Sequence, residues 1–216
     1  MVYFKYMAIV DAIILGLIQG ITEFLPISSS GHLVIAREFL SIDATNALAF
    51  DGMLHLATTV AVIIYFWSDI WTLIQSLLRK LSRLPVNEKE LTLFYALCIG
   101  TIPAVVVGLS IEPFFNKDLQ SVGLVAVLLL VSSIIYMYAE WRYYQRSNHG
   151  PISVKRGFQV GLFQVLALLP GFSRLGVTMA GGMLAGMTRM EAARFSFLLA
   201  IPITLGVGSM KLLELL

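Results

Sequence analysis

Two hydrophobic segments, far apart in the chain, are broken at the same place by the same kinds of residue. Residues 16–31 read GLIQGITEFLPISSSG and residues 161–176 read GLFQVLALLPGFSRLG. Setting Gly16 on Gly161 without gaps also sets Leu17 on Leu162, Gln19 on Gln164, Ser28 on Ser173 and Gly31 on Gly176. Each segment has an apolar run, a proline, a Ser/Gly loop and more apolar sequence. Paired interruptions of this kind point to a polar site deep inside a membrane protein.

The surrounding sequence has the composition that reading needs. Of 216 residues, 58% are hydrophobic and 13% charged, with mean hydropathy +0.84. Soluble domains carry about 25% charged residues. The net charge of +2 is small and scattered, which argues against a nucleic-acid partner. The single cysteine, Cys98, has no intrachain disulfide partner. Only Lys5 precedes the first apolar stretch and no small-residue cleavage site follows, so no removable signal peptide is expected.

Residues 91–111 and 119–139 run without a charge for close to the ~20 residues that span a bilayer. Residues 52–68 form a third span, ending in the interfacial aromatics Tyr65, Phe66 and Trp67. Residues 195–210 form a fourth, with Lys211 placed to snorkel. Residues 12–22, before Glu23, cover only about half the hydrocarbon core at ~1.5 Å per residue. Pro26 and Ser28-Ser29-Ser30-Gly31 then break the helix, as Pro170-Gly171 break residues 157–173.

The loops set the orientation. Residues 71–90 carry Arg79, Lys80, Arg83 and Lys89, and residues 141–156 carry Arg142, Arg146, Lys155 and Arg156. Residues 37–47 carry only Arg37 as a basic residue, and residues 112–118 only Lys117. The positive-inside rule places the first two loops in the cytoplasm and the last two outside. Three spans separate the broken segments, so the first dips in from outside and the second from inside. The expected fold is an all-α integral membrane protein. It is an inverted-topology repeat with two re-entrant helix–loop–helix segments and about four full transmembrane spans. One membrane domain covers residues 1–216, with repeat 1 at about 12–140 and repeat 2 at about 156–216.

Arg174 lies in an apolar run, where an arginine at the membrane centre costs about 2.5–3.5 kcal/mol on insertion scales. Glu23 poses the same problem with opposite sign. A plain ion pair between them is the bland reading, but their neighbours favour a site. Ser28, Ser29, Ser30 and Gly31 precede one helix, and Ser173 and Gly176 belong to the start of another. Hydroxyls and free N–H groups at helix starts bind anions, phosphate especially. Arginine can grip phosphate through two parallel hydrogen bonds.

His32 lies three residues after Ser29, so a nucleophile, an acid/base and a carboxylate gather here. Gln19 and Glu23 share a helix face and offer oxygens to Mg²⁺ or Ca²⁺. Asp51 and His55 are also one turn apart, either at the outer interface or behind the site. Thr58, Thr59, Ser132 and Ser133 read as packing residues, Glu191 and Arg194 as interfacial charges. Gly181, Gly182 and Gly186 read as close-packing positions. A secondary transporter or flippase for an anionic lipid or solute is the rival class, since half-helices at the midplane also serve transport.

Gln19-x-x-x-Glu23 followed by Phe24-Leu25-Pro26-Ile27-Ser28-Ser29-Ser30-Gly31-His32 resembles a motif of the undecaprenyl-diphosphate phosphatase, or bacitracin-resistance, family. Leu169-Pro170-Gly171-Phe172-Ser173-Arg174-Leu175-Gly176-Val177-Thr178 resembles that family's second signature, and residues 50–62 and 193–202 also look like it. The resemblance implies a plasma-membrane hydrolase that takes one phosphate from a polyprenyl diphosphate, recycling the lipid carrier for cell-wall glycan synthesis. Its active site would open to the outer side and depend on a divalent cation, Mg²⁺ or Ca²⁺.

By position, Glu23, Ser29, His32 and Arg174 are the implied catalytic set. Ser28, Ser30, Gly31, Gly171, Ser173 and Thr178 are the expected substrate-binding positions, and Gln19 and Glu23 the metal pair. The attacking group is Ser29, His32 or water. Two features depart from the family. Gln19 stands where many members have Glu, and the chain stops at Leu216 where members usually continue through further spans. On this resemblance the chain would be a short natural member or a truncated one, and a homodimer would cover the face so exposed.

Overall fold

The computed structural model describes residues 9–42, 47–111 and 121–213. All the regular structure among them is α-helical. The order is α1 (Ile9–Thr22), α2 (Ser29–Leu40), α3 (Ala47–Tyr65), α4 (Trp67–Leu81), α5 (Glu88–Ile111), α6 (Val122–Tyr144), α7 (Val154–Leu166), α8 (Arg174–Leu184) and α9 (Arg189–Leu213). Lys5, Lys117 and the loop residues 43–46 and 112–118 lie outside the described residues.

The two breaks fall where the Pro and Ser/Gly signals put them, and both restart in the same way. Ser28 caps α2 by accepting from the Gly31 N–H at 3.3 Å. Ser173 caps α8 by accepting from the Gly176 N–H at 3.1 Å. An N-cap hydroxyl satisfies one of the orphan N–H donors at a helix start. The repeated Ser-x-x-Gly is therefore one capping device used twice. A Cβ on Gly176 would stand 3.3 Å from the Pro26 carbonyl oxygen, so this glycine is where the two broken tips touch. Gly171 turns at φ +103°, and a Cβ there would come within 2.8 Å of the Val125 oxygen.

The register between the copies continues past the breaks: Phe50 falls on Phe195, Leu54 on Leu199 and Thr59 on Thr204. The helices that carry them, α3 and α9, are equivalent and pack on each other. Helix α6 reaches both α2 and α8, so the repeats interdigitate. Helix α7 lies backbone to backbone on α5. A Cβ on Gly161 would overlap the Gly100 carbonyl oxygen, and one on Gly157 would sit 2.8 Å from the Ala96 Cβ. Helix α8 is buried from Leu175 through Met183. The main core, with Phe195, Leu199, Met183 and Met187 at its centre, lies beside it.

The protein is an all-α integral membrane protein. Helices α5, α6 and α9 are long and apolar enough to cross a membrane, and α3 with α4 makes a fourth crossing if that pair, bent by 73°, is one span. The first three overlap residues 91–111, 119–139 and 195–210 read as spans from sequence, and residues 52–68 fall on α3, the elbow and the first residues of α4. One connection differs: residues 71–90 read as a loop, yet most of them belong to α4. Trp67, Ile70, Trp71, Ile74, Leu77, Leu78 and Leu81 recur at helical spacing, and Arg79 and Lys80 suit its last turn.

The interfacial charges are also clasps. Glu191 and Thr188 form a reciprocal capping box at the start of α9. Arg194 pairs with Asp69 of α4, and Arg189 Nε donates to Glu140 of α6 at 3.0 Å.

Candidate active site

A cavity of about 110 Å³ lies where the two breaks meet. The first break supplies Glu23, Phe24, Ser28, Ser29 and Ser30, and the second supplies Phe172, Ser173 and Arg174. Helix α3 adds His55, Thr58 and Thr59, and α9 adds Ser196, Phe197 and Thr204.

Glu23 is the hub. Its Oε2 accepts from the Ser29 hydroxyl and, at 3.0 Å, from Gln19 Nε2, with His55 Nδ1 at 3.3 Å. Its Oε1 is 3.8 Å from Arg174 Nη2. A carboxylate at this depth needs such company, because an unpaired charge in an apolar medium is strongly unfavourable. Arg174 is held from the other side: its Nη1 donates to Thr204 Oγ1 at 2.7 Å. Ser29 and Arg174 occupy the same position in the two copies, the first residue after the capping serine. One copy thus contributes a hydroxyl and the other a guanidinium to the same cavity. Backbone strain sits here too: Ser28, a non-glycine residue, has φ 66°.

A hydroxyl hydrogen-bonded to a buried carboxylate is an arrangement for activating a nucleophile. A guanidinium beside two helix starts is an arrangement for holding a phosphate. A family model described as Bacitracin resistance protein BacA matches residues 12–216. The chain belongs to this bacitracin-resistance family.

Its curated relatives include an undecaprenyl-diphosphatase of Myxococcus xanthus, 39% identical over 97% of this chain and 71% of the relative. One of Paenarthrobacter aurescens is 40% identical over 94% of this chain and 74% of the relative. One of Chloroherpeton thalassium is 39% identical over 96% of this chain and 76% of the relative.

Within this bacitracin-resistance chain the structure gathers Glu23, Ser29 and Arg174, with Ser28, Ser30 and Ser173 around them. It does not bring His32 to the cavity wall. The His32 Nδ1 lies 2.7 Å from the Ser28 carbonyl oxygen, turned back on its own helix. Thr178 is fully buried, and its hydroxyl donates to the Arg174 carbonyl at 2.7 Å, bracing the start of α8. Gly31 and Gly171 shape the breaks and do not line the cavity.

The histidine that does line it is His55, which also stands 3.0 Å from Gln19 Nε2. Asp51, one turn earlier, pairs with Arg37. Thr58 and Thr59, read from sequence as packing residues, line the cavity, as does Thr204. The repeat register carried the missed signal: Thr59 and Thr204 match across the copies. Ser196 also faces the cavity, and its buried Oγ has no hydrogen-bond partner among the described residues.

Of the expected metal pair, Glu23 lines the cavity and Gln19 lies behind it. Gln19 is buried, turns its amide nitrogen toward Glu23, and leaves its Oε1 buried with no hydrogen-bond partner among the described residues. The Glu23 carboxylate is the kind of donor that Mg²⁺ and Ca²⁺ take, while the Gln19 oxygen would join it only with the amide turned over, because the nitrogen now faces Glu23. Among the described residues no group of three His, Cys, Asp or Glu side chains converges, so the remaining ligands would come from substrate and water.

Proposed function

We propose that the chain hydrolyses undecaprenyl diphosphate to the monophosphate and inorganic phosphate, recycling a lipid carrier for cell-wall glycan synthesis. The relatives' names supply the reaction class. The observation that carries the reading is the Ser29 hydroxyl donating to Glu23, with Arg174 against the same carboxylate from the other repeat.

Arg174 and the N–H groups at the starts of α2 and α8 hold the terminal phosphate and match the charge that builds on its oxygens. The Ser29 Oγ attacks that phosphorus as its proton passes to Glu23. The bond from phosphorus to the bridging oxygen breaks, and the prenyl monophosphate leaves with the electron pair. Water then attacks the phosphoserine, the phosphorus–Oγ bond breaks as the Glu23 proton returns to Ser29 Oγ, and phosphate departs with the protons of the water. Glu23 and Gln19 are the residues that would hold a divalent cation, which when bound offsets phosphate charge. Substrate enters from the outer face, opposite the side marked by Arg79, Lys80, Arg142 and Arg146.

The test is phosphate release from undecaprenyl diphosphate by the purified chain in detergent. One phosphate per lipid is expected from the wild type, and none above background from Arg174→Ala. Full activity in Arg174→Ala would overturn the reading.

A further inference from the structure

We propose that the aromatic row Phe24–Phe197–Phe66, running from the cavity to the elbow between α3 and α4, is the seat of the substrate's isoprenoid chain. This rests on the activity proposed above and names the part of the molecule that would select its lipid.

The chain is covalently tied to the phosphates. If the headgroup is held by Ser29 and Arg174, the chain must leave the cavity through one of its walls. One wall is polar, made by Glu23, His55, Arg174 and Thr204. The cavity's apolar lining includes two aromatic rings, Phe24 and Phe197, whose centroids are 6.4 Å apart. Phe197 lies 5.7 Å from Phe66, and Phe66 lies 4.9 Å from Tyr65. The row therefore connects a buried polar cavity to a side chain that is 82% exposed.

Phe66 is the single residue between α3 and α4, where the two helices turn through 73°. A bend at that residue interrupts the helical wall beside the cavity. Around it, Ile64 and Trp67 are exposed as well, so the row ends in an apolar surface. Burying apolar surface is non-directional and grows with the area removed from water. A long chain laid along three rings gains affinity that a short one does not. Polar chemistry at one end and a graded apolar track at the other is what an amphiphile with a diphosphate head requires.

The experiment compares KM for undecaprenyl diphosphate with KM for isopentenyl diphosphate, whose single isoprene unit stops short of Phe66. Phe66→Ser should raise the ratio of long-chain to short-chain KM about tenfold, and Phe66→Leu should restore it. An unchanged ratio, or equal losses on both substrates without rescue by Leu, overturns the proposal.

A second measurement uses the wild type alone. An isoprenoid diphosphate with a benzophenone at its far end should crosslink, on irradiation, to the elbow around Tyr65–Trp67. Crosslinks confined to other helices overturn the proposal. The crosslink does not require turnover. If the wild type releases no phosphate from either substrate, the proposed activity falls while the crosslink still decides the path of the chain.

Discussion

Glu23 sits where a carboxylate is hardest to keep, and Ser29, Gln19, His55 and Arg174 keep it there. Each partner has a different consequence when removed. Arg174→Lys retains the charge and loses the planar fork, so kcat/KM should fall about 10²-fold or more, as loss of one aligned oxyanion donor does. Thr204→Val leaves Arg174 Nη1 without its anchor. Its kcat/KM should fall about tenfold, in line with a hydrogen bond to a charged group, while melting in detergent barely moves. Initial rates with undecaprenyl diphosphate check both.

Glu23 and Arg174 were legible because ionised side chains in apolar runs are anomalies that need a reason, and Ser29 because a serine run before a helix marks its start. His55 was not, because its place depends on how α3 is rotated against α1, and no local pattern encodes that rotation. His32 misleads in the opposite way: it is near Ser29 in sequence, but its ring turns back to the Ser28 carbonyl.

At the scale of elements, the half-helices were legible from proline, serine and glycine, since caps and breakers act locally. Helix α4 was hidden by its charges. Its basic residues gather in the last turn, and a reading by charge took the helix for part of a loop. The contact of α7 with α5 was also unreadable, because glycine spacing alone does not name the opposing helix. It gives a stability prediction with an internal control. Gly161→Ala drives a methyl into the Gly100 backbone and should destabilise by about 1–3 kcal/mol, read as a lower melting temperature in detergent. Gly20→Ala, in α1 with no atom within 4 Å of its Cβ position, should leave melting unchanged or raise it slightly.

For the whole molecule, the cavity exists because two copies of one motif meet tip to tip, with Gly176 against Pro26. The copies then divide the chemistry. The first carries Glu23 and Ser29, and the second has Leu168 and Arg174 at those positions. The repeat was legible from sequence. That α6 is the helix joining the copies, and that α3 pairs with α9, emerged only from packing.

If the two halves act on a single phosphate, their contributions cannot be independent. The direct measurement is a double-mutant cycle on the rate of phosphate release, with Ser29→Ala, Arg174→Ala and both together. Groups that act as a unit are strongly non-additive. The expected result is that the double variant is scarcely slower than the slower single variant. Losses that multiply would show that Ser29 and Arg174 act separately, and would contradict a single site shared by the two repeats.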